Sequence, residues 1–464
     1  MVGQPALAAQ ADQQGRSCHL PGIEEALRCA RVDVPLDYQN TGAGKLALHV
    51  TIAPAFRESA RSDPLFVLAG GPGEAGSDVV PLLAHTFRRA RATRDIVFID
   101  QRGTGKSGRL ACNTPDDVLD LSDAQYQSAL RACIARLNRP LDKYTTANAA
   151  RDIDQVRRVL GYASVNLWGG SYGTRLAQVY ARMFPASTRS LVLDGVAAPD
   201  QVIPAGGRDG QAALELLFRQ CAQDAACHKA YPNLEAEFDT VAQRVASGSV
   251  KVRMADPRTA EPRDVQLTQA HFLGTVHNVL YNALDGRRLP FLIHSAFEGR
   301  WAPFVARRNI NTDVSTDANP AMVLYLAVIC AEDMPRMTAQ LRTEDAHGSF
   351  MGIDRIDKLA AMCKVAGVPP ARYGPPSPIA APTLLLSGAL DPVTPPHRAQ
   401  SAARMMARAQ HLVAANAGHG VSQLGCTPRL LREFLDHPAQ PVDAKCLSEI
   451  PAPSFQLGSA GPQP

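Results

Sequence analysis

The pentapeptide Gly169-Gly170-Ser171-Tyr172-Gly173 restricts what this chain can fold into more than any other stretch. It follows the short apolar run 165–168 (VNLW) and opens a helical pattern that ends before Pro185. A run so short and apolar marks a strand buried on both faces of a sheet. When such a strand turns sharply into a helix, the corner residue adopts a strained backbone. Glycines flank it because side chains there would strike the neighbouring strand and helix. Ser171 then presents its hydroxyl at a helix N-terminus, where the dipole favours developing negative charge. The alternative is a glycine-rich strand-to-helix turn with an ordinary capping serine.

The surrounding sequence supplies the sheet. Residues 31–35 (RVDVP) and 46–53 (LALHVTIA) alternate in polarity and flank a glycine-containing turn, which predicts an antiparallel opening hairpin. The runs 65–69 (LFVLA), 96–100 (IVFID), 191–194 (LVLD), 383–386 (TLLL) and 411–415 are further strands, and 149–160, 172–183 and 427–436 read as helices. Alternation of strand and helix means a mostly parallel α/β sheet. Between 198 and 378 strand-like runs become rare. Amphipathic stretches at 211–223, 234–245 and 268–282 predict a mainly helical insertion, with Asn319-Pro320 opening a further helix. A burst of prolines, from Pro369-Pro370 through Pro375-Pro376 and Pro378 to Pro382, closes it. The expected organisation is an N-terminal segment 1–28, a core 29–197, a helical cap 198–378 and a returning core 379–464. No repeat of 20–50 residues interrupts this plan.

A serine hydroxyl needs a base to take its proton. In a sheet of this kind the order is serine, acid, histidine. Asp391 stands in the loop that leaves the run 383–386, and His419 lies between Gly418 and Gly420 after the next strand. Glycines on both sides leave the imidazole free to reach Ser171. His397 reads as a surface helix residue and His411 as the start of a strand. The tetrahedral oxyanion needs two backbone donors. One is the Tyr172 amide; the other comes from Gly70 or Gly71, in the Gly-Gly-Pro-Gly turn after the run 65–69. Gly103-Thr104-Gly105-Lys106-Ser107 imitates the end of a phosphate loop, but the glycine required five positions earlier is Asp100. No metal or cofactor motif is present in the sequence, and none is expected.

Composition narrows the partners and the compartment. With 48 basic and 44 acidic residues the net charge is +4, too small to point to nucleic acid. The longest apolar run, 321–331, is well short of the ~18–20 residues of a spanning helix. Ten cysteines with no CxxC suit a disulfide framework rather than zinc or redox chemistry. The simplest connectivity pairs sequence neighbours: Cys18–Cys29, Cys112–Cys133, Cys221–Cys227, Cys330–Cys363 and Cys426–Cys446. Ala9-Gln10-Ala11 resembles a leader cleavage site, although no basic and long apolar stretch precedes it. A secreted or periplasmic protein, monomeric and without a membrane span, is the expectation.

Taken in order, Gly-Gly-Pro-Gly at 70–73, Asp100-Gln101-Arg102-Gly103-Thr104-Gly105 and Gly169-Gly170-Ser171-Tyr172-Gly173 resemble the proline iminopeptidase family of α/β-hydrolase serine peptidases. The likeness to its tripeptidyl-aminopeptidase branch extends to Val34-Pro35-Leu36-Asp37-Tyr38 and to the Asp391 and His419 loops. The resemblance implies an α/β-hydrolase core with an inserted helical cap. It also implies an exopeptidase that releases amino acids or short peptides from free N-termini, with acidic residues holding the substrate's α-ammonium group. Glu332 and Asp333, beside Cys330 at the end of the apolar cap helix, are candidates for that role. Glu74, where many relatives carry small residues, is a third. A carboxylesterase with the same triad is the alternative, and an inactive binding protein a remote one.

Overall fold

The computed structural model of the protein describes residues 15–112, 121–248, 250–255, 259–310, 321–372 and 376–461. The leader-like Ala9-Gln10-Ala11, the Asn319-Pro320 helix opening and Pro375 lie outside them.

Nine strands form one sheet in the order β1-β2-β3-β5-β4-β6-β7-β10-β11. The first three, β1 (Arg16–Cys18), β2 (Leu27–Pro35) and β3 (Lys45–Ala53), are antiparallel, as expected of the alternating hairpin. β3 pairs antiparallel with β5 (Ile96–Ile99). From β5 onward every pairing is parallel, through β4 (Leu65–Leu68), β6 (Val165–Gly170), β7 (Thr188–Asp194), β10 (Thr383–Gly388) and β11 (Ala409–Ala414). β4, β5 and β10 are buried at every position, which explains why they read as unbroken apolar runs. Helices Thr146–Val159 and Tyr172–Met183 contribute to the core on one face, and the strongly amphipathic Thr427–Asp436 to that on the other.

Between β7 and β10 lies the helical region, which falls into two parts by its packing. Helices Gly207–Gln223, Leu234–Ala246, Gln269–Leu280 and Leu289–Phe297 enclose an apolar cluster of their own, built on Phe218, Phe238, Phe272 and Phe304. Helices Met322–Glu332 and Asp354–Ala366 instead pack into the main core through Leu324, Val328 and Leu359. A hairpin, β8 (Val250–Ala255) with β9 (Pro262–Leu267), adds strands where the sequence shows no apolar run. Only Val252, Val265 and Leu267 of that hairpin are buried, so periodicity alone carries too little signal. Phe455 near the C-terminus returns to this second cluster, where the Arg287 guanidinium lies 4.2 Å from its ring centroid.

The ten cysteines form the five bonds between sequence neighbours. Among the described residues no helix is long and apolar enough to cross a membrane.

Candidate active site

β6 ends directly in Ser171, whose backbone takes φ 53°, ψ −122° before helix Tyr172–Met183 begins. Such a positive φ costs of the order of 1–3 kcal/mol for a non-glycine residue and persists only where the surroundings enforce it. Two glycines show how they do so. A Cβ on Gly169 would lie 2.4 Å from the Gly173 carbonyl, and one on Gly173 would lie 2.1 Å from the Leu68 carbonyl. β4 therefore presses the elbow from below, and only glycine fits at either contact.

Asp391 leaves β10 and is almost fully buried. One carboxylate oxygen accepts the Val393 and Thr394 amides, each at 2.9 Å. The other accepts the Thr394 hydroxyl at 2.7 Å and faces His419 Nδ1 at 2.8 Å. Burial pushes this carboxyl up, but His419 and the Thr394 donors outweigh it and hold the pKa below its ordinary value. His419 shows the opposite balance. Burial pushes the imidazole down, while Asp391, then Asp194 and Glu74, overcome it and hold the pKa above the usual histidine value. With Nδ1 bonded to Asp391, Nε2 is the ring nitrogen left without a hydrogen bond among the described residues.

The serine and the histidine both lie against the end of β7. The Ser171 amide donates to the Asp194 carbonyl at 2.9 Å. The next residue, Gly195, abuts the imidazole: a Cβ there would lie 3.0 Å from His419 Cε1. The Asp194 carboxylate accepts the Val421 amide at 2.8 and 3.0 Å and the Ser422 amide at 2.8 Å. It thus ties the histidine loop to the strand beside the elbow. Sequence reasoning missed this residue, although an acid ending the apolar run LVLD was a signal. It also missed the cap's part in the site. Tyr281, just past helix Gln269–Leu280, accepts the His419 amide on its carbonyl at 2.7 Å, and the two rings meet edge to face at 5.3 Å.

The turn after β4 treats its two leading glycines differently. The Gly70 amide donates to the Glu74 carboxylate at 2.8 Å, so it is already engaged. Gly71 is exposed, and its amide has no hydrogen-bond partner among the described residues. Tyr172 is the first helical residue, a position whose N–H has no partner within the helix. Gly71 and Tyr172 thus both carry amides without a hydrogen-bond partner among the described residues. Gln101 supports the turn by donating to the Ala69 carbonyl at 3.1 Å.

The three candidate acids differ in what they bond. Both oxygens of Glu332 are taken by Thr146, whose amide and hydroxyl donate at 2.7 and 2.6 Å. That hydroxyl also meets the Tyr172 hydroxyl at 2.7 Å. Asp333 is fully buried between Arg175 at 2.8 Å, Arg336 at 2.9 Å and the Ile203 amide at 2.9 Å. Neither carries a free carboxylate oxygen. Glu74 does: one oxygen receives Gly70, and a Cβ on Gly70 would lie 3.2 Å from Ser171 Cβ and 3.3 Å from that same oxygen. Glu74 therefore lies beside the elbow. Burial raises its pKa, and His419 is near enough to pull it back down.

The phosphate-loop imitation is filled by protein. Asp100 accepts the Ser77 and Lys106 amides at 2.7 and 2.9 Å, and a Cβ on Gly105 would lie 2.3 Å from its carboxylate. Arg102 is bonded to Asp152 through two contacts of 2.7 Å. These landmarks brace the scaffold through internal hydrogen bonds.

Two family models match the sequence, one for the alpha/beta hydrolase fold over residues 63–259 and one for TAP-like proteins over residues 349–446. A tripeptidyl aminopeptidase of Streptomyces coelicolor is 29% identical over 252 residues, which cover 48% of this chain and 46% of that protein. The serine protease Hip1 of Mycobacterium tuberculosis is 25% identical over 434 residues, 85% of this chain and 81% of that one. A carboxylesterase B of Mycobacterium tuberculosis is 28% identical over 304 residues, 60% and 57% of the two chains. The chain spans about half the length of the Streptomyces relatives it matches. Sheet order, elbow geometry and matched segments agree: this chain has the α/β-hydrolase fold, and its matched segments are similar to tripeptidyl-aminopeptidase-like proteins.

Proposed function

We propose that the protein is a serine aminopeptidase that removes single residues or short peptides from the free N-termini of peptides. Ser171 is the nucleophile, His419 the general base and then the general acid, and Asp391 the group that fixes the imidazole and stabilises its cation. His419 Nε2 takes the Ser171 proton as Oγ attacks the scissile carbonyl, and the amides of Gly71 and Tyr172 receive the oxyanion. The protonated His419 then gives its proton to the leaving amine. Water, deprotonated by the same imidazole, releases the acyl group. Glu74 receives the α-ammonium group. The observation that carries this reading is the Glu74 carboxylate, bonded to the oxyanion turn through the Gly70 amide and lying beside Ser171. A partly buried carboxylate pairing an ammonium gives both affinity and register. Five disulfides favour an oxidising compartment, the periplasm or the cell exterior.

The deciding comparison is kcat/KM on aminoacyl- and tripeptidyl-anilides against their N-acylated forms. Blocking the amine should lower it at least tenfold, and equal rates would overturn the aminopeptidase reading. Ser171→Ala should lose several orders of magnitude of turnover while keeping its fold; an active variant would overturn the nucleophile. The match to a carboxylesterase favours a second reading, an esterase on the same triad. In that case short acyl esters would outrun free-amine anilides.

A further inference from the structure

Beyond His419, the site continues into the cap as a row of rings. His419 meets Tyr281 at 5.3 Å, and Tyr281 meets His277 at 5.4 Å between centroids. His277 is wedged against helix Gly207–Gln223, where a Cβ on Gly210 would lie 3.1 Å from its Cδ2. Tyr281 and Tyr325 are only half-buried, and neither hydroxyl has a hydrogen-bond partner among the described residues. Asp391 and Tyr325 both act on Tyr281, so the two hydroxyls lie near each other and near the Asp391–His419 pair.

Arg355, in the first turn of helix Asp354–Ala366, brings a cation to the same place. Its Nη2 donates to the Pro204 carbonyl. Its Nε is buried without a partner. No carboxylate pairs with it among the described residues, and Nη1 makes no hydrogen bond there. The other guanidinium groups buried near the site are matched: Arg175 by Asp333 and Arg102 by Asp152. The Arg355 charge is felt along the row. After burial itself, it is the largest influence that pushes His277 down, to about 4, and it acts on Tyr281 and Tyr325 as well. Asp391 is already bonded to His419, and among the described residues the hydrogen bonding of Arg355 is limited to one carbonyl. A partly desolvated cation with unused donors strongly favours an incoming anion.

We propose that Arg355, with the Tyr281 and Tyr325 hydroxyls, forms a carboxylate-binding subsite on the cap side of the triad. The inference rests on the aminopeptidase reading for what enters the site, and it deepens that reading. Glu74 takes the ammonium group at the elbow, and Arg355 takes a carboxylate deeper in the cap. The favoured substrate carries both charges within a few residues. The carboxylate is either the C-terminus of a short peptide or a Glu or Asp side chain near the scissile bond.

Two matched pairs of free-amine peptides test this. The first pair differs only in a C-terminal carboxylate or amide, and the second only in Glu or Gln along the chain. In the wild type one acid form should be cleaved roughly ten- to hundredfold more efficiently than its neutral isostere, the range for hydrogen bonds to a charged group. The pair that shows the preference identifies the source of the carboxylate. Arg355→Met should bring the ratio close to one. Arg355→Glu should reverse it in favour of the neutral form or a Lys-containing peptide, which loss of packing alone would not do. A cooperative melting transition confirms that the variants fold; if they do not, the wild-type ratios decide. Ratios near one in both wild-type pairs overturn the subsite. Equal cleavage of N-blocked peptides overturns the aminopeptidase reading and leaves the acid-to-amide ratio to stand or fall separately.

Discussion

Gly418→Ala is the sharpest test of how the cap and the triad are joined. A Cβ at this position would lie 2.3 Å from the Tyr281 carbonyl and 3.1 Å from the Ala283 amide. Both are backbone atoms, so no side-chain rotation relieves the contact. The cap side is held by Asn282, whose side-chain Oδ1 caps the next turn by accepting the Leu284 and Asp285 amides at 2.9 and 3.2 Å. Restoring an ordinary carbon–oxygen separation needs a shift of about 1 Å, and the movable partner is the loop that carries His419. That shift stretches the 2.7 Å bond from the His419 amide to Tyr281 and displaces the imidazole from Ser171. A displacement of about 1 Å at a reacting group costs on the order of 10²-fold in rate. Overpacking should also cost about 1–3 kcal/mol of stability. The assay is the labelling rate with a small fluorophosphonate, together with kcat on an activated acetyl ester. Both need the triad and the oxyanion donors but little of the cap's binding surface. Both rates should fall about 10²-fold. Labelling at the wild-type rate, with only KM for peptides raised, would show that the cap shapes substrate binding without holding His419, and the reasoning would fail.

Asp391→Asn keeps the shape of the acid but leaves the imidazole without its anionic partner; kcat should fall by about 10⁴-fold, as for the corresponding change in a serine protease triad, and a loss under tenfold would contradict the role. The acid limb of kcat/KM should titrate above the usual histidine value of about 6.5, because Asp391, Asp194 and Glu74 favour the imidazolium. Glu74→Gln removes one of those charges, so the limb should move to lower pH; a shift upward or none would place Glu74 out of reach of the histidine. Reduction-proof thiol counting in denaturant should find no free thiol among the ten cysteines, and the double variant Cys330→Ser/Cys363→Ser should lose about 3–4 kcal/mol, the loop-closure value for a separation of 33 residues.

The parts of the fold that were legible in the sequence are those whose determinants are local. β4, β5, β6 and β10 are buried on both faces, so each announces itself as a short apolar run. The elbow is also local, because Gly169 and Gly173 are dictated by atoms a few residues or one strand away. The hairpin of β8 and β9 was not legible, since it buries too few side chains to leave a pattern. Glu332 and Asp333 illustrate the other limit. Two acids at the end of an apolar helix read as available charges, yet the Thr146 donors that occupy Glu332 are 186 residues away, and the Arg175 that neutralises Asp333 is 158 away. Neither distance is recoverable from one sequence.

The acids near Ser171 divide by the kind of donor they hold, and that division decides which can serve a substrate. Asp391 and Asp194 each accept two backbone amides. Those amides belong to loops that carry or follow triad residues, so protonating either acid would loosen the geometry that makes catalysis possible. Asp333 is satisfied by two arginines, and Glu332 is buried with both oxygens engaged by one threonine, so neither presents an unengaged oxygen. Glu74 accepts one amide on one oxygen. It alone of these acids can accept a further cation while its present bond survives. An ammonium group arriving there would also cancel part of the negative field around His419, lowering the imidazole's pKa when it must act as a neutral base. Under the proposed function the same carboxylate would couple recognition of the free N-terminus to the protonation state that the chemistry requires. The coupling would be visible as a lower acid-limb pKa in kcat than in kcat/KM for free-amine substrates; equal values in the two profiles would deny it.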